Sequence, residues 1–217
     1  MQTNQILKKL IERYSRLIPL GGRIEEVVKV IVTTYNNGGK VLVCGNGGSS
    51  ADSDHIVGEL MKSFEMKRPL EKTVQEKLLE LFPDRGGVLA KSLQQGLPAI
   101  SLTAHSALIS AISNDIGSDV IFAQQVVGYG NPGDILLAFS TSGNAQNVID
   151  ALMVAKAKGL KTIGMTGETG GKMKAYCDVL INVPETRTAF VQELHLPVYH
   201  AICLMVESDI FSKNQTD

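Results

Sequence analysis

The spacing of hydrophobic positions along the 217-residue chain changes repeatedly between a helical and a strand-like pattern. In the first 37 residues the apolar side chains recur every three or four positions. Ile6, Leu7, Leu10, Ile11, Tyr14 and Ile18 share one face, and Ile24, Val27, Val28, Ile31 and Tyr35 share another. That spacing predicts two amphipathic helices. Pro19, Gly21 and Gly22 predict the break between them. The pair is too small to stand alone, so residues 1–37 are expected to pack on the main body or on another subunit.

Short unbroken apolar runs follow at 41–44, 99–102, 135–139, 162–165 and 179–183, with helical stretches between them. Strands with no polar alternation are covered on both faces, as in a parallel sheet. The expected fold class is α/β, a flavodoxin-like three-layer sandwich with a five-stranded parallel sheet and added N- and C-terminal helices. Residues 189–211 predict one long last helix with Pro197 inside it, where the ring should kink the helix or free a carbonyl. Between about 70 and 96, LEKTVQEKLLELF and GGVLAKSLQQG carry helical spacing and predict two further helices.

Composition narrows the partners. Twenty-one basic and 22 acidic residues leave a net charge of −1, so no field favours nucleic acid or an anionic membrane. No run reaches about 18 apolar residues, so no membrane span is expected. Cys44, Cys177 and Cys203 lie far apart in apolar surroundings and read as reduced core residues. With no signal-peptide pattern at the start, the expected location is cytoplasmic.

In a doubly wound sheet, ligands bind beyond the carboxyl ends of the strands. After the first run comes Gly45, Asn46, Gly47, Gly48, Ser49 and Ser50; after the third comes Ser140, Thr141, Ser142, Gly143 and Asn144. Both open helices. Such loops offer backbone N–H groups, hydroxyls and a helix N-terminus to an anion such as a phosphate monoester. Each alone also fits a plain capped turn; two at neighbouring strand ends favour a ligand. Neither matches the P-loop or the dinucleotide fingerprint, so no nucleotide cofactor is expected. His55 and Glu59 share a helix face, and Gln192 and His200 lie eight apart on the last helix. Histidine with carboxylate serves proton transfer at carbon, and equally a zinc-like ion. His195 reads as structural and His105 as a neighbour of a helix cap.

The blocks GNGGSSADSDHIVGEL (45–60), AISND (111–115), GDILLAFSTSGNAQNVI (133–149), TIGMTGETGGKM (162–173) and VQELHLPVYH (191–200) resemble, in order, those of the phosphoheptose isomerases of the SIS (sugar isomerase) superfamily. The STSGN element marks the superfamily; the HxxxE and QExHxxxxH pair is more specific. The resemblance covers nearly all of the chain outside 65–96, and implies a single SIS domain over 1–217 with a helical insertion at 70–96. It implies isomerisation of sedoheptulose 7-phosphate to a manno-heptose 7-phosphate through an enediol. By resemblance, Asn46, Gly47, Gly48, Ser49, Asn114, Asp115, Ser140, Thr141, Ser142 and Gln192 bind substrate. Glu59 and His200 form the acid–base pair, and His55, Glu59, Gln192 and His200 form a zinc site. A homotetramer with active sites between subunits is implied as well. Ala145 stands where the family often has a serine, and Ser63 and Ala189 stand where arginine and aspartate are common; these departures bear on which sugar is bound. The alternative is a non-catalytic SIS protein that binds a phosphosugar or assists assembly of a replication initiator; the complete His55, Glu59, Gln192 and His200 set favours the enzyme.

Overall fold

The computed structural model describes residues 3–212. Five strands, β1 (Val41–Cys44), β2 (Ala99–Ser101), β3 (Ile135–Phe139), β4 (Lys161–Thr166) and β5 (Val179–Asn182), form one sheet in the order β2-β1-β3-β4-β5. Every pairing is parallel, with Val41 opposite both Ala99 and Ile135. Each strand lies within two residues of the apolar run that predicts it. Successive side chains of a strand point to opposite faces, so the sheet has two cores. Val41, Val43, Ile135, Leu137, Phe139, Ile163 and Met165 face one layer, while Leu42, Cys44, Leu136 and Ala138 face the other.

The first layer holds α1 (Thr3–Arg13), α2 (Gly21–Asn36), α3 (Gly48–Met61) and α9 (Thr188–Phe211). α7 (Ile121–Tyr129) and α8 (Gln146–Ala157) cover the opposite face, preceded by α6 (Ser106–Asp115). The N-terminal pair packs on the body, α1 and α2 both against α9. Its break differs from the expectation. Gly21 and Gly22 open α2 rather than ending a helix, and the interruption is a 3-10 turn, Ser15–Leu20, around Pro19. The tighter turn shifts the phase of the helix face: Leu17 is fully buried, while Ile18, expected inside, is 59% exposed.

α9 runs unbroken through Pro197. The proline has no N–H, so the carbonyl of Glu193 loses its helical partner. Among the described residues α9 is the one helix long and apolar enough to cross a membrane by length and composition, although polar residues interrupt its apolar run. Most of its apolar side chains from Val191 to Phe211 are instead buried against the sheet and its neighbouring helices, with Leu196 exposed. The two helices expected after α3 are present as α4 (Lys72–Leu81) and α5 (Gly86–Ser92). They pack chiefly on each other, and α4 has no buried residue.

Candidate active site

β1 pairs with β2 on one side and β3 on the other, so the chain direction diverges between β1 and β3. That divergence leaves a crevice above the carboxyl ends of β1 and β3. The two hydroxyl- and glycine-rich loops meet there. Asn46, Gly47, Gly48, Ser49, Ser140, Thr141 and Ser142 line a cavity of ≈ 330 Å³ together with Phe139, Ala145, Thr188 and Gln192. Eight of the ten expected substrate residues therefore share one pocket. Asn46 and Asn147 exchange side-chain hydrogen bonds of 2.9 and 3.0 Å, which tie the first loop to the start of α8.

Glycine is required at two points. A Cβ on Gly48 would lie 2.5 Å from Nε2 of Gln192, so the missing side chain lets the amide of α9 lie against the start of α3. Gly143 has φ +69°, and a Cβ there would meet the carbonyl oxygen of Gly170 at 2.2 Å. The 140–144 loop is thus seated on the loop after β4, which fixes its hydroxyls without bulky side chains.

Two turns along α3, a second group converges. His55 Nε2 stands 3.3 Å from Glu59 Oε1 and 3.4 Å from His200 Nε2. The other Glu59 oxygen is buried without a hydrogen-bond partner; Lys62 Nζ is 4.0 Å from it. Burial of the His200 ring, and then the neighbouring His55, hold its pKa below the ordinary imidazole value, while Glu59 pulls it upward. His55 is further contacted by the Tyr199 hydroxyl, 3.0 Å from Nδ1, and that hydroxyl donates to Asp52 Oδ1 at 3.1 Å.

Glu59 and His200, distant in sequence, do meet around His55. Gln192 lies against Gly48 in the serine-loop cavity, eight residues from His200 on a helix that rises about 1.5 Å per residue. Among the described residues no three His, Cys, Asp or Glu side chains form a closed metal-ligating group; the contacts run pairwise through His55. Asn114 and Asp115 also stand apart from the cavity, exposed at the end of α6, with Asn114 donating to Asp115 at 2.8 Å. His195 is wholly buried, with Nε2 3.3 Å from the Thr166 carbonyl, and burial lowers its pKa to about 4. His105 caps α6, its Nδ1 accepting from the Leu108 N–H. Both match their expected structural roles.

Sequence reasoning missed Tyr199, Asp52, Asn147 and a buried ion pair. Arg68 Nε donates to Glu207 Oε1 at 2.7 Å, and its other nitrogens donate to the carbonyls of Leu60 and Glu59. Glu207 also accepts from the N–H groups of Phe64, Glu65 and Met66. The pair clamps the segment after α3 onto α9. A glutamate within the apolar face of 198–211 was the available signal, since such a residue is rarely buried unpaired.

Comparison with known proteins agrees with this architecture. The SIS domain family matches residues 5–77 and 75–167. The chain is 41% identical to the phosphoheptose isomerase of Synechocystis over 192 residues, covering 88% of this chain and 86% of that one. It is 38% identical to the phosphoheptose isomerase of Nitratidesulfovibrio vulgaris over 203 residues, 94% and 84% of the two chains. A solved phosphoheptose isomerase from Francisella tularensis superposes with a TM-score of 0.75 at 32% identity, covering 94% of this chain and 96% of that one. The corresponding structure from Neisseria gonorrhoeae gives 0.71 at 32% identity, with 95% and 93% covered. The chain therefore belongs to the phosphoheptose isomerase family of SIS-domain proteins.

Proposed function

We propose that this protein isomerises sedoheptulose 7-phosphate to a manno-heptose 7-phosphate. The observation that carries the reading is the meeting of His200, from α9, with His55 and Glu59 of α3, the helix whose first turn lines the serine-loop cavity. The phosphate belongs with Ser140, Thr141 and Ser142, where hydroxyls and two helix N-termini supply donors without a competing carboxylate. From Ser49 to His55 the helix rises about 9 Å, comparable with an open-chain heptose between its phosphate and its C1–C2 end. Asn46, Gly47, Gly48, Ser49 and Gln192 line the intervening wall, and Asn114 and Asp115 are proposed to hold hydroxyls of the sugar.

Glu59 and His200 are the proton carriers. One proton leaves C1 of the ketose, the enediol forms, and a proton arrives at C2, while hydroxyl and carbonyl oxygens exchange theirs. A positioned acid or base contributes about 10²–10⁴-fold to such a step. A carboxylate and a neutral imidazole both accept protons near neutral pH, and burial lowers the His200 pKa, which favours that form.

The donor set also suits zinc. Edges of about 3.3–3.4 Å are those of a tetrahedron with zinc bonds of about 2.0–2.1 Å, and the His55 contacts have that length. The buried, unpartnered Glu59 oxygen is a further available donor. His55, Glu59 and His200 would hold the ion, with Gln192 as the fourth ligand that the family resemblance implies. A bound divalent ion would polarise the substrate carbonyl and stabilise the enediolate.

The functional unit proposed is one SIS domain over 1–217, with the helical pair 1–37 and the insertion 70–96, assembled as a homotetramer. An apolar groove of ≈ 440 Å³ between α1 and α9 supports the assembly, since His200 opens into it beside Leu10, Tyr14, Phe64 and Leu204. The three cysteines are free, and burial raises the Cys177 and Cys203 pKa values to about 12, which suits unreactive thiols in a cytoplasmic protein. The test is an NMR assay of the purified protein on a panel of ketose phosphates, with and without chelator. The expected result is an aldose 7-phosphate from sedoheptulose 7-phosphate, diminished by chelator. Binding of that ketose without conversion of any panel member would overturn the reading.

A further inference from the structure

We infer that Tyr199, held by Asp52, is a positioning residue that fixes the tautomer of His55 so that its Nε2 lone pair faces Glu59 and His200. The inference rests on the proposed role of that cluster, but its geometry stands independently. A tyrosine hydroxyl has one proton, and an ionised aspartate only accepts. The Tyr199 proton goes to Asp52 Oδ1 at 3.1 Å. Toward His55 Nδ1, at 3.0 Å, the same oxygen can then only accept, so Nδ1 carries the hydrogen. In a neutral ring the other nitrogen is bare. That bare nitrogen is the one placed 3.3 Å from Glu59 and 3.4 Å from His200; it and the Glu59 carboxylate are both acceptors, a pairing that a cation held between them would satisfy.

The relay is built from the two helices that form the site. Asp52 and His55 lie one turn apart on α3, and Tyr199 precedes His200 on α9. Tyr199 is buried, its ring edge-on to both His55 and Phe139, so the hydroxyl has little freedom to turn elsewhere. A histidine whose far nitrogen is fixed by such a partner is a better-oriented base or metal ligand, and loss of the partner characteristically costs 10–100-fold in affinity or activity.

The test combines nitrogen-15 NMR of the histidine rings with kinetics and zinc competition on the purified full chain. In the wild type, the His55 resonances should report a hydrogen on Nδ1. In Tyr199→Phe that preference should be lost, kcat should fall about 10–100-fold with KM little changed, and zinc should be surrendered to a weaker chelator. Asp52→Ala should behave alike, and the double variant should be no worse than either, because the two act through one contact. Retention of the Nδ1–H form in a folded Tyr199→Phe protein would overturn the inference, as would a wild-type ring protonated at Nε2. Neither result depends on turnover. An inactive wild type with the expected tautomer would instead strike at the isomerase reading and leave the relay standing.

Discussion

At the scale of single residues, the serine loop and the buried histidine lead to separate expectations. Replacing Ser140 and Ser142 by alanine removes two hydroxyl donors proposed to hold the phosphate dianion. Charge-assisted hydrogen bonds are the strong ones, so KM should rise at least tenfold in steady-state kinetics while the fold and its melting temperature persist. An unchanged KM would move the phosphate elsewhere. His195 gives a pH expectation. Its folded pKa is about 4, lowered by burial from 6.5. The unfolded chain therefore takes up the proton first as pH falls. Stability from this group is complete above about pH 6.5 and lost progressively down to about pH 4, by roughly 3 kcal/mol in all. Urea unfolding of His195→Gln should show a shallower decline across that window than the wild type. Much of this scale was legible. Small hydroxyl and glycine residues after two neighbouring apolar runs pointed to loops that meet, and they line one cavity. Tyr199 was not legible, because an aromatic residue on an apolar helix face reads as core; only its hydroxyl, placed between Asp52 and His55, reveals the second role.

At the scale of elements, the Arg68–Glu207 pair decides how the end of α3 is held. Both side chains are 1% exposed, and the guanidinium also serves the carbonyls of Glu59 and Leu60. Burial alone would raise the Glu207 pKa, but the N–H groups of Glu65, Phe64 and Met66 and the Arg68 charge bring it below the usual value. Breaking one partner of such a pair leaves an uncompensated charge and costs about 3–5 kcal/mol. Arg68→Met should lose that much in urea denaturation, and a loss within 0.5 kcal/mol would show the clamp to be dispensable. The strands were legible because parallel strands buried on both faces read as pure apolar runs. The helix boundary at Pro19 was misplaced because glycine marks a turn only on average; here Gly21 adopts helical backbone with φ −50° and the proline sets a 3-10 turn instead.

At the scale of the whole molecule, the helical insertion and the assembly remain to be related to function. Gln94 bridges back to Pro69 and its side chain accepts from the Ser63 N–H and hydroxyl, so the ends of the insertion are close together. With α4 unburied, a chain in which residues 71–93 are replaced by a short linker should keep its fold and its melting temperature to within a few degrees. A change in sugar preference in that variant would assign the hairpin to the active-site wall, and unfolding would contradict the packing described here. Sedimentation should show a tetramer at micromolar concentration, with α1 and α9 at the contact; a stable monomer would contradict the assembly. The insertion helices were legible from their spacing, but nothing in a sequence says what an exposed apolar face meets. The central claim, that Glu59 moves a proton between C1 and C2 of a phosphorylated ketose, is tested most directly by the turnover of Glu59→Gln on sedoheptulose 7-phosphate. The account predicts a fall in kcat of about 100-fold or more with substrate affinity retained; near-normal turnover by the glutamine variant would contradict it.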